Sequence, residues 1–290
     1  MIYKWLFTTV ASIAALPIGL VAAGAIDILT NKFNGNELPD QNFDFSGSES
    51  ILVAEDIPRA YIQASDLRLP EITITDTNGY DGTFITLHSV DSDETGFTAI
   101  AYQDQESGHV IISFNGMSKP WYDTTNTPFE NPWQSWDDIL TGVESRFSIV
   151  NRQMRDLYNF MDDVTELAGP NATYESIGYS LGGIHGLHAL ASWNLPFHGM
   201  SPAGLPNHPD LYSQEELDRL SLTQNFSLSS SGDFITGVVG NPGNIINLPL
   251  SDITACDPSA RIDSIGPHIL PTGYGKAFAT GRDCGLNLKF

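Results

Sequence analysis

Tyr174-Glu-Ser-Ile-Gly-Tyr-Ser-Leu-Gly-Gly-Ile-His-Gly-Leu-His-Ala-Leu-Ala191 is the stretch that decides the fold. Its centre, Gly178-Tyr179-Ser180-Leu181-Gly182, fits Gly-x-Ser-x-Gly. That pattern holds a serine on a strained turn between a strand and a helix, with the hydroxyl standing clear of a sheet. Glycines flank the serine because strand and helix approach too closely there for a Cβ. Five-residue patterns also arise by chance, so the flanks carry the weight. Tyr174–Ile177 is short and compatible with a strand, while Leu181, Ile184, Leu187, Leu190 and Ala191 recur at helical spacing. Strand, turn and helix are all present in order.

Upstream, Ile57–Leu67 has a helical pattern and Glu71–Thr75 alternates as a strand, with Asp76–Gly82 as a polar turn behind it. Gly96-Phe-Thr-Ala-Ile-Ala-Tyr102 and His109-Val-Ile-Ile-Ser-Phe114 read as two strands joined through the turn Asp104–Gly108. The second is almost continuously apolar, as a strand covered on both faces is. Trp136–Met161 reads as helical, as one helix or two, and leads through Gly169-Pro170-Asn171 into the serine motif. Downstream, Pro196–Ser201 and Phe226–Ser231 are short strands, 201–218 is a lid-like excursion, and 237–245 is rich in Gly, Asn and Pro. Strands alternating with helices imply one α/β domain over residues 50–290, with a mostly parallel central sheet flanked by helices and an antiparallel entry. Residues 27–49 read as a linker.

Residues 5–26 hold no charged side chain, between Lys4 and Asp27. They are long enough to cross a bilayer and carry Ala23-Gly24-Ala25, a small-residue cleavage pattern, so 1–26 reads as a signal peptide or as an uncleaved membrane anchor. Either reading places the domain outside the cytoplasm, secreted or periplasmic in the first case. Cys256 and Cys284 are the two cysteines, either one disulfide or two thiols. The net charge of −22, from 13 Lys+Arg against 35 Asp+Glu, argues against nucleic acid and strongly anionic membranes as partners. No zinc-like Cys/His spacing is present, and no cofactor is expected.

A serine hydroxyl needs a base, and the base an orienting carboxylate. With a Gly-x-Ser-x-Gly elbow of the α/β-hydrolase kind, the order along the chain is serine, acid, histidine. His185 and His188 ride on the helix leaving the elbow and point away; His198 sits in a strand and His208 in the excursion. His268, in the loop Ile265-Gly-Pro-His-Ile-Leu-Pro271, is the candidate base. Among Asp210, Glu215, Glu216, Asp218, Asp233, Asp252, Asp257 and Asp263, Asp233 is the candidate acid, because it follows a strand at its carboxyl end, in Gly232-Asp233-Phe234. The oxyanion of an acyl transfer needs backbone donors. Leu181, just after the serine, is one candidate, and Met117, in the turn after the buried strand, is the other.

These blocks together resemble the class 3 lipase and bacterial phospholipase A1-like group. His109-Val-Ile-Ile-Ser-Phe-Asn-Gly-Met117 resembles that group's strand ending in Phe-Arg-Gly-Thr or Phe-Arg-Gly-Ser. Ser135-Trp-Asp-Asp-Ile-Leu140 resembles Asp-Trp-x-x-Asp-Leu, and Gly178–Gly183 resembles Gly-His-Ser-Leu-Gly-Gly. Gly232-Asp233, and His268 followed by Tyr274, are similar to its acid and base regions. The resemblance spans roughly residues 50–280 in five ordered blocks. It implies a single α/β-hydrolase domain and hydrolysis of lipid esters through an acyl-enzyme on Ser180, Asp233 and His268, without a cofactor, beneath a lid over an acyl pocket. Pro202–Leu205 and Leu211–Leu220 are the candidate lid and pocket rim. Three positions depart from the group: Asn115 replaces its arginine, Met117 its hydroxyl residue, and Tyr179 its histidine beside the serine. An acyltransferase on the same triad, or a non-catalytic lipid-binding protein on a hydrolase scaffold, are the alternatives, and a lipid interface is the expected partner surface.

Overall fold

Glu175, Ile177 and Tyr179 alternate with Ser176 and Gly178 along β5 (Thr173–Tyr179), and all five are buried. A strand buried on both faces must lie inside a sheet with layers on either side, and β5 does. The computed structural model describes residues 42–52, 57–64, 69–75, 81–92, 95–115, 152–205, 212–222, 225–230 and 245–248. They form an eight-stranded sheet whose spatial order follows the chain: β1 (Glu71–Thr75), β2 (Asp81–Asp91), β3 (Thr98–Asp104), β4 (His109–Phe114), β5, β6 (Phe197–Met200), β7 (Phe226–Ser230) and β8 (Ile245–Leu248). β1 to β4 pair antiparallel and β4 to β8 pair parallel. The expected mostly parallel α/β sheet with an antiparallel entry is therefore present.

Parallel neighbours in sequence order need crossovers, and right-handed crossovers between successive neighbours place their helices on one face. α2 (Arg152–Ala168) and α3 (Gly182–Trp193) are those helices, packing on β2–β3 and on β4–β6 respectively. The other face is covered by α1 (Ile57–Ala64), whose Ile57, Ala60, Tyr61 and Ala64 fall at helical spacing and are buried with Ile111, Ile177, Tyr179 and Met200. α3 is apolar nearly all round, with every residue but Ser192 buried, as befits a helix with chain on both sides. It ends at Asn194, whose φ of 58 is the left-handed conformation common just past helix ends.

Two strands escape a reading by periodicity. β2 begins inside the expected turn Asp76–Gly82 and continues where no element is expected, with Gly82 and Phe84 buried beside exposed Thr83 and Ile85. The alternation then breaks at an irregularity in the pairing with β3 between Thr86 and His88, and a shift of this kind exchanges the inward and outward sets. β8 is too short, at 4 residues, to show a period. α2 runs to Ala168, beyond the expected end at Met161. The segments 1–41, 116–151 and 249–290 hold the signal or anchor, the Trp136 helix start and both cysteines, and these expectations lie outside the described residues. No described helix is long and apolar enough to cross a membrane.

The tail of the expected linker is packed. Phe45 N–H donates to Trp193 O at 2.9 Å, and the Phe43 ring meets the Trp193 ring edge-on at 4.9 Å. The strap 42–52 ends on a buried polar group at the amino end of β5. Ser50 Oγ donates to Glu175 Oε2 at 2.7 Å, and the Ile51 and Leu52 N–H groups reach the same carboxylate at 3.4 Å each. His109 Nε2 lies 3.0 Å from Glu175 Oε1, and His198 Nε2 lies 2.7 Å from Ser50 Oγ. Burial alone would push the Glu175 carboxyl up, but the hydrogen bond and charge of His109, the charge of His198 and the Ser50 hydroxyl outweigh it and the net direction is down. Burial holds His198 itself down to about 4 against the pull of Glu175. Truncation at Glu175 leaves those donors buried and unpaired. Glu175→Ala is expected to lower the unfolding free energy by about 3–5 kcal/mol in urea titrations, the scale for breaking a buried charged pair.

Acid is a second route to the same loss. Burial lowers His185 to about 3 and His188 and His198 to about 4. A histidine depressed in the folded state takes up its proton first in the unfolded chain, whose pKa is about 6.5. Stability is therefore full above pH 6.5 and lost as pH falls toward 4, at a slope of up to about 1.4 kcal/mol per pH unit for each histidine. Urea midpoints across this range should fall accordingly. His185→Leu, which removes two ring nitrogens that have no partner, should flatten the slope by about one proton.

Candidate active site

The turn between β5 and α3 is fixed by contacts a side chain would destroy. A Cβ on Gly182 would stand 2.2 Å from Phe114 O and 2.6 Å from Asn115 O, and one on Gly178 would stand 2.9 Å from Gly182 O. The first turn of α3 thus lies directly on the carboxyl end of β4. To pass from β5 into a helix this close, the chain reverses at a single residue. Ser180 makes the reversal with φ 52, in the left-handed region that a non-glycine residue rarely adopts. Its N–H donates to Met200 O at 3.2 Å, and its carbonyl accepts from Gly183 N at 2.9 Å and Ala203 N at 2.8 Å. The serine is half-buried between buried Tyr179 and Leu181.

Leu181 stands at the N-cap of α3. Backbone N–H groups at a helix start lack intrahelical acceptors and carry the positive end of the helix dipole, so they favour negative charge beside Ser180. Asn115 closes the neighbouring strand end. It is buried, its N–H donates to Thr98 O at 3.0 Å, and its Oδ1 accepts from Ser113 Oγ at 3.5 Å. Met117 lies two positions further on, outside the described residues, as do Asp233 and His268. The described chain brings Ser180 and Leu181 together; Asp233 follows the carboxyl end of β7, and His268 comes after β8 in sequence. Tyr179, Met200 and Leu228 are in register across β5, β6 and β7, so these strands end on the edge of the sheet that bears Ser180.

Among the described residues no histidine is hydrogen-bonded to Ser180. His185 is buried against the rings of Phe97, at 5.1 Å, and Phe114, at 6.2 Å. His188 is held by Tyr212, with Nδ1 2.9 Å from its hydroxyl. His198 belongs to the Glu175 group at the opposite end of the strands. All three are packing residues, in keeping with the roles expected for the pair on α3.

The excursion after β6 is less of a lid than its composition implied. Residues 201–205 are buried. Leu205, Tyr212 and Leu220 join Leu187, Leu190 and Phe197 in one apolar cluster against α3. Between them α4 (Gln214–Arg219) is started by a capping box, with Ser213 and Glu216 each accepting from the other's backbone N–H. Among the described residues, 201–205 with Tyr212 and Leu220 form a wall packed against α3. Sequence reasoning missed that Met200 and Ala203 hold both main-chain groups of Ser180; Ser201-Pro202 directly after a strand was the available signal.

No known family model matches the chain, and no curated protein matches it. Among solved structures the chain is similar to a crystal structure of a triacylglycerol lipase from Penicillium expansum, with 12% identity and a TM-score of 0.34 over 72% of this chain and 82% of that one.

The closeness of α3 to β4 is open to a direct check. Gly182→Ala should cost about 3 kcal/mol or more, at the upper end of overpacking effects. Gly47→Ala, at a position where a Cβ meets nothing within 4 Å, should change stability by no more than about 0.5 kcal/mol. Denaturant titration of the two variants side by side makes the comparison.

Proposed function

We propose that the chain is a serine carboxylic ester hydrolase acting on lipid esters, a triacylglycerol lipase or phospholipase A. The observation that carries the reading is the left-handed Ser180, at φ 52, on a strand-to-helix turn whose flanking glycines admit no side chain. A non-glycine residue held in this conformation is strained, and such strain persists where the surroundings over-determine it, which is common at reactive centres. The turn also sets the serine beside the amino end of α3, where an oxyanion is favoured.

In this reading Ser180 Oγ attacks the ester carbonyl while His268 takes its proton, oriented by Asp233. The tetrahedral oxyanion accepts hydrogen bonds from the Leu181 and Met117 N–H groups. His268 returns the proton to the departing alcohol, leaving an acyl-enzyme on Ser180, and a water activated by the same histidine releases the fatty acid. No cofactor takes part. The lipid preference rests on the motif resemblance and on the apolar residues after β6. The uncharged 5–26 segment supports export or membrane anchoring of the domain.

Wild-type protein should react with a fluorophosphonate probe at Ser180 and hydrolyse p-nitrophenyl acyl esters. Ser180→Ala should lose both, with hydrolysis reduced by about three orders of magnitude or more and the fold intact by circular dichroism. Asp233→Asn should fall by a comparable factor while Asp252→Asn stays near wild type. Full activity in Ser180→Ala overturns the mechanism, and a loss at Asp252 in place of Asp233 moves the acid.

A further inference from the structure

We propose that Ser201 is a positioning residue for the nucleophile, an inference that rests on Ser180 being that nucleophile. Ser201 is fully buried and also left-handed, with φ 42, at the carboxyl end of β6. It is neither glycine nor asparagine, the residues that usually take this conformation. Its N–H donates to Leu228 O at 2.6 Å, which anchors the bend on β7.

The bend has one evident consequence for the site. Before it, Met200 O accepts the Ser180 N–H; after it, Ala203 N–H returns to donate to Ser180 O. Residues 200–203 therefore hold both main-chain polar groups of Ser180, one on each side of Ser201. An extended residue at 201 would carry the chain onward along the strand direction and away from the elbow. A left-handed one turns it back. Pro202 then packs against the helix start, where a Cβ on Gly183 would stand 2.3 Å from Pro202 Cβ. The strain at Ser180 is thus maintained by a second strained serine on the adjacent strand, and Ser201 acts through Ser180 without touching substrate.

The backbone, not the hydroxyl, is what the proposal requires, and two substitutions separate them. Ser201→Gly removes the hydroxyl but accepts a positive φ freely. Ser201→Thr keeps the hydroxyl but adds a β-branch, which makes a positive φ a genuine outlier. The Gly variant should retain kcat within about twofold, whereas Thr should lose about tenfold or more in kcat with KM nearly unchanged, the signature of a misplaced reacting group. The rate of fluorophosphonate labelling at Ser180 should fall in parallel for Thr, and the acid limb of the pH profile should stay where it is in both. A Thr variant with wild-type kcat, or a Gly variant that loses activity, overturns the proposal; if Thr does not fold, the Gly result decides alone. Failure of the wild-type protein to label at Ser180 overturns the nucleophile reading instead, so the two failures are distinguishable.

Discussion

The carboxyl edge of the sheet depends on one close approach, that of Gly182 to the main-chain carbonyls of Phe114 and Asn115. With room for a hydrogen but no Cβ, α3 begins where β4 ends, in place of starting a residue or two further out. The chain leaving β5 then has a single residue in which to reverse, and Ser180 takes a backbone conformation it would not adopt alone. The energy of that conformation comes from its surroundings. α3 is buried nearly all round, β4 and β5 are buried along almost their whole length, and the wall after β6 ties both polar groups of the serine. The site is a consequence of packing, and the packing is intolerant of one methyl group.

The amino edge is organised on an opposite principle. There β5 carries a carboxylate in place of an apolar side chain, and a buried charge is costly unless its lone pairs are occupied. Glu175 meets the condition with donors from two separate parts of the chain, Ser50 to Leu52 and His109, while His198 reaches it through the Ser50 hydroxyl. Apolar packing tolerates small slides, but this group does not, since moving the strap by one residue would leave the carboxylate short of donors. The polar cluster therefore sets where residues 42–52 lie along the sheet, and with them the entry to α1. One strand thus carries a specificity device at its start and the proposed nucleophile at its end.

Legibility from sequence followed how local each determinant is. The elbow was readable because glycine spacing, a short strand and a helical apolar repeat all lie within Tyr174–Ala191. β4 was readable because six consecutive residues are buried. β2 was not, since a pairing irregularity near Thr86 scrambles its alternation, and that irregularity is a property of β3 as much as of β2. The Glu175 group joins residues 125 positions apart in sequence, so no window shows it; the only local trace is an acidic residue inside an otherwise strand-like run. The segment after β6 reads from its prolines and acidic residues as an excursion over 201–218, whereas Leu205, Tyr212 and, just beyond it, Leu220 are the residues that anchor it. Composition describes the average residue of a segment, and burial is decided by the few that touch the core.

The base of the proposed reaction can be narrowed by what the other histidines are doing. The chain has seven. His88 faces Asp163 at 3.4 Å on the α2 side of β2. His109 and His198 serve Glu175, at the end of the strands opposite Ser180. His185 and His188 are enclosed by aromatic rings, and burial holds both well below the range in which an imidazole exchanges protons near neutrality. That leaves His208 and His268. His208 falls in a short connection whose two ends, Leu205 and Tyr212, are packed with Leu187 and Leu190 further along α3 from its first turn. His208 also precedes Asp233 in the chain, against the order serine, acid, histidine. His268 comes in sequence after β8, the last of the described parallel strands whose carboxyl ends share the edge with Ser180, and the base of the proposed reaction must reach the serine from the side that the substrate also enters.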